Sequence, residues 1–317
     1  MKTVRIHEYG GTEQLRVDEV EIPTPQKDEV LIKVAVAGMN YADTMLRAGT
    51  YLVRPPLPFT PGFEAAGTIA AVGDDVKNFR PGDRVMATMQ GGGYAEYAVA
   101  KAAQVVPVPE ELDFGRASAL LVQGLTALGL LRDLKPGQTI LIHAAAGGVG
   151  SLLVQLAKIK GARVIGTAST AEKLATVKKL GADVTVNYTE GDWPEQILRA
   201  TDGKGIDLLI EMVGGEVGAQ NMRCLAKGGT MIVYGAASGQ DFSVSALNLL
   251  GGGYTVKGYL VYNETPESMA RFTNELMTLI NENKLQVMVQ EFPLAEAARA
   301  HEALAGRQTT GKVVLTV

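Results

Sequence analysis

The stretch around residues 139–161 constrains this chain more than any other. An apolar run at 139–143 passes directly into Ala145-Ala146-Gly147-Gly148-Val149-Gly150, and that turn opens onto the helical pattern SLLVQLAKIKG. Glycines at a strand-to-helix turn permit a tight reversal, close approach of backbone to a pyrophosphate and close helix-sheet packing. The helix N-terminus adds N–H donors and a positive dipole end. The turn is an A-x-G-x-x-G form of the dinucleotide fingerprint. Glycine-rich turns also serve plain packing, but here a second strand at 163–167 follows the helix at the spacing a βαβ unit requires, which favours cofactor binding.

The alternation continues along the chain. Strands at 163–167, 184–188 and 207–213 are followed by helical patterns at 171–180, 193–200 and 219–226, and a further strand lies at 230–235. Strands that alternate with helices form a parallel sheet with right-handed crossovers. Their continuous apolar runs are those of strands covered on both faces. We therefore expect an α/β chain with a doubly wound Rossmann domain over 123–264.

Residues 2–108 have another texture: short strand-like runs (KTVRI, LRVDEVEI, EVLIKVAVAG, AAGTIAAVG, YAEYAVA) separated by turns such as Pro23-Thr24-Pro25 and Pro81-Gly82-Asp83. This pattern predicts a β-barrel-type unit. Helical patterns at 266–281 and 294–304, a strand near 287–292 and a closing strand at 312–315 are expected to return to it. The predicted domains are 1–122 plus 265–317, and 123–264, a division that suits 317 residues.

Thirty basic against thirty-four acidic residues give a net charge of -4 with no basic cluster, which argues against a nucleic-acid partner. The single cysteine, Cys224, excludes an intrachain disulfide and a thiolate-rich zinc cluster, and it suits a reducing, cytoplasmic setting. The N-terminus MKTVRIHEYGG has no apolar signal-like core, and the longest apolar runs fall far short of the ~20 residues of a membrane helix. No membrane association is expected.

The second strand of the fingerprint unit ends at Thr167-Ala168-Ser169, without the Asp or Glu that would bind a ribose 2′-hydroxyl. Ser169 and Lys173 instead offer a hydroxyl and a cation where a 2′-phosphate needs donors and positive charge, so NADPH is expected rather than NADH. The competing reading is that Ser169 caps the next helix and Lys173 is solvated.

Four further stretches stand out: Gly38-Met39-Asn40-Tyr41-Ala42-Asp43, Pro61-Gly62-Phe63-Glu64-Ala65-Ala66-Gly67, Phe79-Arg80-Pro81-Gly82-Asp83-Arg84-Val85 and AAAGGVG. With these, the chain resembles the medium-chain dehydrogenase/reductase superfamily over essentially its full length, and within it the zinc-free, zeta-crystallin-like quinone oxidoreductases. The resemblance implies a GroES-like catalytic domain beside the Rossmann domain. The zinc enzymes of that superfamily carry Gly-His-Glu where this chain has Gly62-Phe63-Glu64, and a cysteine near Met39 or Asn40. A catalytic zinc needs about three N, S or O ligands, so no metal is expected. Alcohol oxidation in that superfamily relies on zinc to lower the pKa of the alcohol; the expected reaction is instead hydride transfer from NADPH to a quinone or to an enone or enal.

The resemblance also assigns residues. Asn40 would lie near the nicotinamide, and Tyr51 would line the acceptor pocket, where a phenol suits donation to a developing oxyanion. Asp43 would orient the loop, with proton transfer as the alternative. Gly147, Gly148 and Val149 map to the pyrophosphate; Ser169, Lys173 and Tyr188 to the adenosine phosphate; Tyr234, Gly235 and Ala236 to the nicotinamide side. Arg307 belongs to a returning C-terminal segment. A homodimer through the Rossmann domain is implied, by edge pairing of strands at 230–234 and 254–258. Two other functions remain open at this point: an enoyl-thioester reductase, and a non-catalytic NADPH-binding protein.

Overall fold

The computed structural model describes all 317 residues, Met1–Val317. The chain forms two compact units, Met1–Val122 with Met288–Val317, and Gln123–Val287.

The first unit begins with β1 (Lys2–Ile6), β2 (Leu15–Glu19), β3 (Glu29–Met39), α1 (Tyr41–Ala48), β4 (Glu64–Val72), β5 (Arg84–Thr88), β6 (Tyr97–Lys101), β7 (Val105–Pro107) and α2 (Phe114–Ala119). The second unit holds α3 (Leu125–Leu130), β8 (Thr139–Ile142), α4 (Gly148–Ile159), β9 (Arg163–Ala168), α5 (Ala171–Lys179), β10 (Val184–Asn187) and α6 (Trp193–Ala200). It continues with β11 (Ile206–Glu211), α7 (Gly215–Gln220), β12 (Leu225–Val233), α8 (Ala246–Gly252), β13 (Thr255–Gly258) and α9 (Pro266–Asn281). The chain then re-enters the first unit as β14 (Val289–Pro293), α10 (Ala297–Ala305) and β15 (Lys312–Thr316).

In the first unit the order β14-β15-β3-β4-β5-β7, with β6 also on β3, makes a largely antiparallel sheet. Val30, Ile32, Val85, Val313 and Leu315 form its core with Tyr94. The strand-rich reading of 2–108 passed over α1, which interrupts the strands for a local reason. Asn40 in extended conformation starts the helix, and Gly49, left-handed at φ 72°, ends it.

In the second unit every strand is parallel, in the order β10-β9-β8-β11-β12-β13. Chain order reverses between β8 and β11, and such a switch point opens a crevice at the carboxyl ends of the strands. The core includes Leu141, Ile165, Leu209 and Met231, with Trp193 and Ile197 contributed by α6. That helix starts where the Asp192 side chain accepts from Glu195 N, with Pro194 in its first turn.

Three expectations need correction. The second unit extends to Val287 rather than 264, because α9 packs against α3 and buries Phe272, Leu276 and Leu279 within it. The helix expected at 219–226 runs instead over Gly215–Gln220. Gly214 and Gly215, at φ 73° and 54°, turn the chain early, and Leu225 is already in β12. Finally, β12 is not an edge strand: it pairs with β11 and with β13, so of the two strands expected to pair across a dimer only β13 lies at an edge of the sheet, the opposite edge being β10.

Candidate dinucleotide and acceptor sites

The expected cofactor residues of the second unit gather at the carboxyl ends of its strands. Beyond β8, Ala144 adopts φ 48° and Gly147 is extended before α4, with no side chain capping that helix. The first N–H groups of α4 are thus left to a ligand or solvent. A Cβ on Gly150 would strike the Ala144 carbonyl and come within 2.8 Å of Ala145 Cα, and one on Gly148 would run into the Gln123 amide. The glycines are therefore required by contact as well as by the fingerprint.

At the end of β9, Thr170 is the residue that caps α5, accepting from Lys173 N at 3.3 Å. Ser169 precedes the cap, so the capping role expected of it falls to its neighbour. Tyr188, just beyond β10, is largely buried with its ring edge-on to His143 at 6.2 Å. Tyr234, Gly235 and Ala236 follow β12 on a loop bonded to the one after β11, through Tyr234 N to Glu211 O (3.0 Å) and Ala237 N to Met212 O (2.8 Å). Burial, with the Glu211 charge adding to it, pushes the Tyr234 phenol well above its usual range.

Beneath these loops lies a buried polar network that the sequence did not disclose. Glu211 ends β11 and accepts from Val213 N, from Gly214 N at 2.7 Å and from Asn221 Nδ2. With its amide NH2 spent on Glu211, Asn221 presents Oδ1 to His143 Nε2 at 2.8 Å, which places a proton on that nitrogen. His143 Nδ1 meets Thr167 Oγ1 at 2.8 Å. One set of fully buried side chains thereby joins the ends of β8, β9 and β11.

In the first unit, Asn40 and Asp43 form a reciprocal capping box at the start of α1, with Asn40 N donating to Asp43 Oδ2 at 2.7 Å. The other Asp43 oxygen accepts from Gly62 N at 3.2 Å, tying the helix to the loop before β4. Burial raises the Asp43 carboxyl to about 7, against the pull of Asn40 N, the Lys312 charge and Gly62 N. Tyr51 is half-buried against Phe63, ring centroids 6.4 Å apart. Burial and the nearby Asp43 charge raise its phenol above the usual value. Arg307, left-handed at φ 56° between α10 and β15, lies close enough to Tyr41 to favour the phenolate against burial. Asn40, Asp43, Tyr51 and Arg307 therefore belong to the first unit, and the remaining expected residues to the second.

Lys312 is the residue sequence reasoning missed. Its ammonium, 1% exposed, donates to Met39 O at 2.9 Å, to Asn40 Oδ1 at 3.2 Å and to Glu64 Oε1. Glu64 Oε1 also accepts from Asn40 Nδ2 (2.8 Å), and its Oε2 accepts from Val122 N (2.9 Å). The only sequence signal was a lysine opening an otherwise apolar strand. Zinc does not fit this donor set. No three His, Cys, Asp or Glu side chains converge anywhere in the chain, and the Glu64 carboxylate already faces an ammonium that would repel a metal ion.

Comparison with known proteins agrees with this geometry. A family model described as alcohol dehydrogenase GroES-like domain matches residues 26–110, and one described as zinc-binding dehydrogenase matches 148–278. The quinone oxidoreductase of Sus scrofa is 36% identical over 99% of this chain and 97% of its own length. That of Pseudomonas aeruginosa is 38% identical over 99% of each. The structure of Escherichia coli quinone oxidoreductase complexed with NADPH superposes with a TM-score of 0.95 at 34% identity, covering all of both chains. A mycobacterial protein complexed with NADPH also gives 0.95, at 37% identity and full coverage of both. The chain belongs to the quinone oxidoreductase family of the medium-chain dehydrogenase/reductases.

Proposed function

We propose that this chain is an NADPH-dependent quinone oxidoreductase that works without zinc. The observation that carries the reading is the switch-point crevice of the second unit: an uncapped α4 N-terminus, and Ser169 and Lys173 where an NAD site would carry a carboxylate. Relatives of matching length named quinone oxidoreductase support the choice of acceptor.

When bound, NADPH supplies the hydride. The residues act as follows. Gly147, whose own N–H is spent on Ala144 O, lets the pyrophosphate approach the backbone closely, and the N–H groups of Gly148 and Val149 hold it. Ser169, Lys173 and Tyr188 bind the 2′-phosphate end. Tyr234, Gly235 and Ala236 shape the nicotinamide side, and Asn40 and Arg307 are further cofactor-binding residues in this reading. Tyr51 donates a hydrogen bond to the acceptor oxygen. A tyrosine phenol is protonated at neutral pH, and burial and the Asp43 charge favour that form further, which suits a donor rather than a base. Asp43 orients the loop, since both of its oxygens are taken by backbone N–H groups.

We further propose a homodimer through the second unit. Leu247 and Leu250 of α8, the helix that precedes the edge strand β13, are 78% and 80% exposed, and exposed apolar side chains and open sheet edges need cover. A cytoplasmic setting is part of the proposal: no helix is long and apolar enough to cross a membrane, and the lone thiol of Cys224 is buried.

The reaction is tested by NADPH oxidation against 1,4-benzoquinone, 9,10-phenanthrenequinone, an alkenal and crotonyl-CoA. Turnover of the quinones is expected. Turnover of crotonyl-CoA alone would assign an enoyl-thioester reductase, and tight NADPH binding with no turnover of any acceptor would leave a binding protein.

A further inference from the structure

We propose that the buried Lys312–Glu64 pair is a positioning device that fixes the side-chain amide of Asn40 in one orientation. The proposal rests on the reading above that Asn40 serves the hydride-transfer site.

Sheet register brings the three residues together. On β15 and β3, Val313 faces Met39, so Lys312 and Asn40 lie one step further along the same ladder. On β4, Glu64 faces Gly38 of β3. Gly38 is what admits the carboxylate: a Cβ there would come within 2.6 Å of Glu64 Cγ and Oε1. Lys312 and Glu64, 248 positions apart, thus meet beside Asn40, with side chains 1% and 0% exposed.

The chemistry of the partners permits one arrangement. An ammonium only donates and a carboxylate only accepts, so the oxygen of the Asn40 amide must face Lys312 and its nitrogen must face Glu64. A flipped amide would set NH2 against NH3⁺ and C=O against COO⁻ in a site with little water to screen either contact. The three ammonium protons have three acceptors: Met39 O, Asn40 Oδ1 and Glu64 Oε1. Glu64 Oε2 is held by Val122 N, so the carboxylate has no slack with which to follow a rotating amide. The backbone of Asn40 is fixed separately, by Asp43. Loss of the pair therefore removes the two charged partners of the amide and leaves its capping contact with the start of α1 in place.

The test compares the wild type, Asn40→Ala, the double variant Lys312→Met/Glu64→Leu and the triple combination, all as full-length protein. Removing both charges avoids stranding either one in the interior. The readouts are single-turnover hydride transfer from NADPH to 9,10-phenanthrenequinone, NADPH affinity and melting temperature. A misoriented contact near reacting atoms costs about 10- to 100-fold. We expect a loss of this size in the double variant, with NADPH affinity little changed, and no further loss when the pair is removed from Asn40→Ala. Equal losses in both backgrounds would show a merely structural pair and overturn the proposal. Full activity of Asn40→Ala would overturn the role given to Asn40 itself. An effect of Asn40→Ala with none from the double variant would overturn only the positioning role.

A second measurement needs no altered pair. In the wild type, the Asn40 side-chain NH2 signals, identified by their absence in Asn40→Ala, should exchange slowly with solvent. Rapid exchange would contradict a fixed amide.

Discussion

Gly38→Ala drives a methyl into the Glu64 side chain at 2.6 Å and strains a fully buried ion pair. Overpacking of this kind costs roughly 1–3 kcal/mol, so thermal unfolding should show a clear drop in melting temperature. Asp43 predicts a pH dependence. Its carboxyl lies at about 7 when folded and at 3.8 when unfolded, so the native state holds the proton more tightly. This group's contribution to stability is therefore greatest below about pH 4, falls as pH rises to about 7, and changes no further above that. Urea midpoints measured across this range should fall with pH less steeply in Asp43→Asn than in the wild type. Tyr51→Phe removes the phenolic donor and leaves the ring against Phe63. Proton donation is worth about 10²- to 10⁴-fold, and turnover should fall within or somewhat below that range while NADPH affinity holds. Unchanged turnover would assign the proton to water.

Elements whose signals are local were legible in advance, and those whose signals are distant were not. The unit formed by β8, the glycine turn and α4 is written within a single window, as an apolar run, contact-limited glycines and a helical stripe. The helix at Trp193–Ala200 was found at its observed bounds because Asp192 and Pro194 mark its start. By contrast α7 was misplaced because two left-handed glycines begin it early, and α9 was assigned to the wrong unit because its packing against α3 leaves no local trace. The candidate site divides the same way. Ser169 and Lys173 could be read from the end of β9, whereas Lys312 meets Glu64 only through the strand register of β15, β3 and β4. The start of α5 carries its own prediction. Lys173→Ala combined with Ser169→Ala should weaken NADPH more than NADH. Loss of a charge-assisted contact costs about 1.5–3 kcal/mol, so the ratio of dissociation constants should move by about tenfold or more.

At the scale of the whole molecule, the free β13 edge and the exposed leucines of α8 bear on assembly. Leu250→Lys places a charge at a side chain that is 80% exposed in the single chain. Sedimentation should therefore show a dimer become a monomer with little loss of fold, and a wild type that is already monomeric would remove the dimer from this account. The larger claim is that reduction proceeds where an ammonium, rather than a metal, faces the Glu64 carboxylate. The most direct test is to assay NADPH oxidation by 9,10-phenanthrenequinone before and after exhaustive EDTA treatment, measuring bound zinc in the same samples. Full turnover with less than one zinc per ten chains is the expected result; activity that falls with chelation and returns with added zinc would contradict it.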